Sequence, residues 1–170
     1  MPTTESDPLV AGVAAAELVA ELTADHATVA TAESLTAGLL AATIAGVPGA
    51  SSVLRGGLIV YATDLKHRLA GVSAQVLEAE GPVAASTAEQ LAVGATVRCA
   101  ADWGVGLTGV AGPDSQDGWP VGTVFLAVAG PDGTQVQRLA LAGDRWQVRR
   151  SAVRTAVDEV LLRVRALRGQ

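Results

Sequence analysis

The chain has 170 residues, a size that fits one domain able to bury a substantial core, so residues 1–170 are read as a single domain. Its composition is 49% hydrophobic but only 3% aromatic, which predicts a core of alanine, valine and leucine in closely packed small-residue layers. With a net charge of −5 and no basic cluster larger than Arg149, Arg150 and Arg154, the chain lacks the concentrated positive face that phosphate-backbone binding needs, and a small molecule is expected as partner rather than nucleic acid.

The start, MPTTESDP, carries acids where a signal peptide needs positive charge. No stretch approaches the roughly 18 apolar residues of a membrane span, so a cytoplasmic protein with no membrane partner is expected. Residues 8–24 place alanine, valine and leucine at helical spacing, with Glu17 and Glu21 on the other face. A homo-oligomer, taken as a dimer, is expected, and apolar small-residue helices such as this one offer an interface. His26 follows as a partner for the helix C-terminal dipole.

Residues 27–32 (ATVATA) read as a short buried strand that runs through Glu33 and Ser34 into a helix over residues 35–45. The turn GVPG at 46–49 closes that helix. Residues 57–62 (GLIVYA) form a second strand, with Thr63 or Asp64 placed to cap a short helix carrying Lys66. Ser73 caps another short helix ending at Glu80, and a long helix covers residues 84–100. Cys99 belongs to its apolar pattern. One cysteine cannot form an internal disulfide, and with two histidines it is too little for a zinc site, so neither metal nor cofactor is expected.

A third strand, residues 104–108, leads into the glycine-rich loop from Gly109 to Asp114. Strands at 121–129 and 135–141 flank the turn GPDG, which makes that pair an antiparallel hairpin. A last helix runs from about Asp144 to Leu167. Alternating strands and helices with a terminal hairpin predict a three-layer α/β/α sandwich around a mixed, mainly parallel sheet. Ligands of such sheets bind at strand carboxyl ends, where Ser34, Tyr61 with Lys66, and Thr108 with its glycine loop all fall.

Lys66 is the only lysine and Tyr61 the only tyrosine, while the other eleven basic residues are arginine. Lysine can lose its proton when desolvated and act as a base, which arginine cannot do at accessible pH. Ser34 before a helix is either a nucleophile whose oxyanion the following N–H groups hold, or an N-cap, a role open to Thr36 as well. His67, next to Lys66, points about 100° away on the helix and is read as exposed. Gly109 and Gly112 fit a phosphate cradle or a turn that needs glycine dihedrals. Arg145 opens the last helix, where a cation opposes the helix dipole and would instead face an anionic ligand. Trp119 and Pro120 are expected as an apolar lip for an aromatic ring.

Five ordered motifs, TAESLTAG at 31–38, YATDLK at 61–66, LTGVAGP at 107–113, PVGT at 120–123 and GDR at 143–145, together resemble the CinA C-terminal domain family in its stand-alone form. The resemblance runs from about Leu9 to Leu167. It implies a three-layer α/β/α fold and an amidohydrolase that converts nicotinamide mononucleotide to nicotinate mononucleotide and ammonia. The family's serine, lysine and tyrosine fall on Ser34, Lys66 and Tyr61. Thr108 and Arg145 fall on further pocket positions, and Thr36, Gly38, Gly109 and Gly112 are expected beside them as substrate-binding residues. The family's usual AESCTGG differs here at Leu35 and Ala37, and its asparagine two positions after the tyrosine is Thr63. The alternative from another class is a non-catalytic nucleotide-binding module linked to competence or DNA damage.

Overall fold

The computed structural model describes residues 7–169, and most of the acidic start read against a signal peptide lies outside them. Five strands form one sheet: β1 (Val29–Glu33), β2 (Leu54–Ile59), β3 (Trp103–Gly109), β4 (Thr123–Gly130) and β5 (Gly133–Ala140), in the order β2-β1-β3-β4-β5. β1 pairs in parallel with both β2 and β3, whereas β3 with β4 and β4 with β5 are antiparallel. Only β4 therefore runs against the other four. The turn predicted at residues 130–133 makes the hairpin, with Gly130 paired to Gly133.

Alternation along β4 divides the core. Val124, Leu126 and Val128 join Val105 and Leu107 of β3 against α1 (Ala15–Ala24), α2 (Leu39–Ala45) and α6 (Arg145–Arg168). Phe125, Ala127 and Ala129 face Ala88 and Ala92 of α5 (Ala85–Cys99) on the other side. The short helices α3 (Thr63–Arg68) and α4 (Ala74–Glu80) complete that layer. Gly104 and Gly106 let α5 lie close on the sheet, because an added Cβ would come within 2.1 Å of the Ala92 carbonyl and 2.3 Å of the Ala88 carbonyl respectively.

Two polar devices fix the layers. Asp102 Oδ2 accepts from the Thr28 N–H at 2.8 Å and the Thr28 hydroxyl at 2.7 Å, tying the starts of β1 and β3. Arg163, buried on α6, donates to the Val128 carbonyl, to Asp132 and to the Gly133 carbonyl, and so holds the hairpin onto the helix.

Helix boundaries depart from the sequence expectations where local signals are weak. Residues 8–14 make turns, and α1 begins at Ala15. Its apolar face of Ala15, Leu18, Val19 and Leu22 packs into the core shared with α6. Neither Thr63 nor Asp64 caps α3, whose N-cap is Ala62, and the Ser73 side chain makes no cap bond to α4. Cys99 is partly buried.

Candidate active site

The site is built where β1 and its neighbours end. The ladder continues one residue past each strand: the Ser34 N–H donates to the Leu107 carbonyl and the Val60 N–H to the Glu33 carbonyl, both at 2.9 Å. Ser34 and Val60 are thereby fixed across adjacent strand ends. After Ala62 the chain turns into α3, which carries Lys66 back over the same ends. Lys66 is 2% exposed, and its Nζ donates to Ser34 Oγ at 2.9 Å, to the Val60 carbonyl at 2.9 Å and to the Tyr61 carbonyl at 3.4 Å.

Among the described residues Lys66 forms no ion pair. Burial without a compensating carboxylate disfavours the ammonium and pushes its pKa down from 10.5 to about 8. The neutral amine suits this setting: two N–H groups face two carbonyls, and one lone pair remains for the Ser34 hydroxyl proton. This arrangement can deprotonate a serine near neutral pH.

Ser34 does not open a helix. Residues 34–38 form a separate turn, and α2 begins only at Leu39. Gly38 precedes it in the left-handed conformation at φ 93°, as does Ala37 at φ 50°, unusual for a residue with a Cβ. The start of α2 is taken by Glu33, fully buried, whose carboxylate accepts from the N–H groups of Gly38, Leu40 and Ala41 at 2.9 to 3.1 Å and from the Thr31 hydroxyl at 3.0 Å. The N-cap alternatives for Ser34 and Thr36 thus give way to a glutamate reaching forward. The N–H groups of Leu35 and Thr36 have no acceptor among the described residues.

A cavity of about 170 Å³ opens beside Ser34 and Lys66, lined also by Thr108, Gly109, Gly112, Tyr61 and Arg145. Thr108 is buried and donates its hydroxyl to the Pro82 carbonyl at 2.6 Å. Arg145 reaches across the mouth, donating to the Gly112 carbonyl at 2.6 Å and to the Tyr61 phenol at 2.8 Å. Tyr61 is 56% exposed, and it meets Lys66 through its main-chain carbonyl rather than its phenol. Thr36 and Gly38 do not line the cavity: Thr36 is buried behind the turn, with a hydroxyl that has no partner among the described residues, and Gly38 serves the Glu33 cap.

Trp119 is not the lip expected from its position. Its ring packs edge-on to Phe125 at 5.4 Å and lies under the Arg138 guanidinium at 4.5 Å, outside the cavity. His67 is exposed, and its Nδ1 lies 2.7 Å from the Val72 carbonyl. Four participants went unread in the sequence. Asp114 and Gln116 line the cavity from the loop after Gly112, Glu33 caps α2, and Arg149 donates to the Leu35 carbonyl at 2.9 Å and the Thr36 carbonyl at 3.0 Å. A signal for Glu33 existed, since it is the one charge in the apolar strand VATAE.

A mixed sheet layered by helices, with a buried serine and lysine hydrogen-bonded to each other at the carboxyl ends of its parallel strands, defines an α/β protein. Residues 12–164 match the CinA C-terminal domain, and the chain belongs to that family. It is 48% identical over 134 residues to a CinA-like protein of Frankia casuarinae, covering 79% of this chain and 31% of that protein. It is 46% identical over 149 residues to a CinA-like protein of Anaeromyxobacter, covering 87% and 36% respectively. The chain thus spans about a third of the length of these curated relatives. Among solved structures, the competence/damage inducible protein CihA of Agrobacterium tumefaciens superposes with a TM-score of 0.84 at 34% identity, covering 89% of this chain and 93% of that one. A CinA superfamily protein of Escherichia coli gives 0.85 at 30% identity, covering 95% and 93%.

Proposed function

We propose that this protein is an amidohydrolase that cleaves the carboxamide of nicotinamide mononucleotide, giving nicotinate mononucleotide and ammonia in pyridine-nucleotide salvage. The observation that carries the reading is the 2.9 Å contact between Lys66 Nζ and Ser34 Oγ, with no ion-pair partner for the lysine among the described residues. Neutral Lys66 accepts the Ser34 proton as Oγ attacks the carboxamide carbon. The unpartnered N–H group of Leu35, a residue that lines the cavity, supplies a donor for the oxyanion. Protonated Lys66 then gives its proton to the departing ammonia, leaving an ester on Ser34. Water, deprotonated by Lys66, hydrolyses that ester and frees the carboxylate.

The cavity suits the pyridine ring, with ribose and phosphate directed to the mouth. Arg145 meets the phosphate there, together with the N–H groups of Ala111 and Gly112, which have no acceptor among the described residues. Tyr61 holds Lys66 through its carbonyl and Arg145 through its phenol.

Ammonia release by purified protein from nicotinamide mononucleotide, with nicotinamide and its riboside alongside, tests the reading. Release from the mononucleotide ahead of the other two is expected. Binding of the mononucleotide without release would replace the enzyme by a nucleotide-binding regulatory module.

A further inference from the structure

The turn that carries Ser34 is not self-sufficient. Its own main-chain bonds are Ala37 N–H to the Ser34 carbonyl and Leu39 N–H to the Thr36 carbonyl, both near 3.0 Å. It also holds Ala37 left-handed, a conformation that costs an ordinary residue about 1 kcal/mol. Two side chains grip it from opposite ends. Glu33 takes the N–H groups where α2 begins, and Arg149, on the second turn of α6, takes the carbonyls of Leu35 and Thr36. No main-chain donor reaches the Leu35 carbonyl among the described residues, so Arg149 is its partner.

A trans peptide is planar, with its C=O and N–H pointing in opposite directions. The Leu35 carbonyl belongs to one such plane, joined through the Leu35 Cα to the Leu35 N–H beside the cavity. Arg149 draws the Leu35 and Thr36 carbonyls toward α6 and so holds the turn that presents Ser34 and the free Leu35 N–H to the cavity. The geometry points to Arg149 as a positioning residue that fixes the turn presenting Ser34 and its oxyanion donor, an inference that rests on the reading of Ser34 as the nucleophile. Arginine suits the task because two acceptors on consecutive residues need two donors in a fixed fork, here Nε and one Nη, and a lysine ammonium offers only a point charge. One helical turn earlier, Arg145 grips the Gly112 carbonyl and the Tyr61 phenol, so the start of α6 holds two walls of the cavity at once.

The test uses the full chain with Arg149→Ala and Arg149→Lys, assayed for ammonia release from nicotinamide mononucleotide after thermal melts confirm folding. Loss of one oxyanion donor costs about 100-fold in kcat, and a fall of that order is expected in both variants with KM within about threefold of wild type. Methylguanidinium added to Arg149→Ala should restore part of kcat. The acid limb of the pH profile should stay where wild type has it, because Arg149 makes no contact with Lys66. Should Arg149→Ala fail to fold, Arg149→Lys keeps the charge and stem and carries the test. A wild type that releases ammonia beside folded Arg149 variants with unchanged kcat overturns the positioning role alone. A wild type that releases none overturns the reading of Ser34, and this inference with it.

Discussion

Ser34 and Lys66 stand 32 positions apart yet meet in one hydrogen bond, and each bears a separate prediction. Ser34→Ala should abolish ammonia release, with turnover down by several orders of magnitude, while calorimetry still detects the mononucleotide, since only the attacking oxygen is removed. Residual turnover within about tenfold of wild type would exclude a serine nucleophile. Lys66→Arg should be nearly as inactive as Lys66→Ala, because arginine keeps the charge but cannot surrender its proton. In wild type, kcat/KM should fall about tenfold per unit as pH drops below about 8, where Lys66 becomes protonated. An active Lys66→Arg enzyme would hand the proton to another acceptor. Arg145→Ala should raise KM for the mononucleotide and narrow its advantage over the riboside, a ratio that steady-state kinetics reads directly.

At the scale of elements, the order of strands and helices was legible, as were the hairpin and the carboxyl-end location of Ser34, Lys66 and Thr108. Periodicity and glycine punctuation carry that information locally. The start of α2 was not legible, because a distant carboxylate reaches over a turn that an alanine closes with positive φ. Arg149 was missed for a related reason: its acceptors are main-chain carbonyls more than a hundred residues away, which leave no mark on side-chain identity. Ala37→Gly follows from the same turn. Glycine removes the left-handed penalty but adds unfolded-chain entropy, so a net gain of up to about 1 kcal/mol in denaturant unfolding is expected. A loss of stability instead would mean that the Ala37 methyl makes packing of its own.

For the whole molecule, a buried lysine places function and stability in opposition. Its folded pKa of about 8 lies below the ordinary 10.5, so between those values the unfolded chain binds more protons than the folded one. This group's contribution therefore rises as pH climbs from about 8 toward 10.5, and below 8 its penalty is present in full. Melts of wild type and Lys66→Met across that range should diverge in slope, with the rise confined to wild type. Equal slopes would show that Lys66 titrates normally in the fold.

Because Lys66 is the sole side-chain amine, the molecule also carries a built-in reporter. A lysine isotope label would give one ε-amine resonance, and an acylating reagent would find one side-chain target, both located at the serine. Occupancy of the cavity, opening of its mouth and the proton count on the amine could then be followed spectroscopically in the unaltered protein, a measurement that lysine-rich proteins deny.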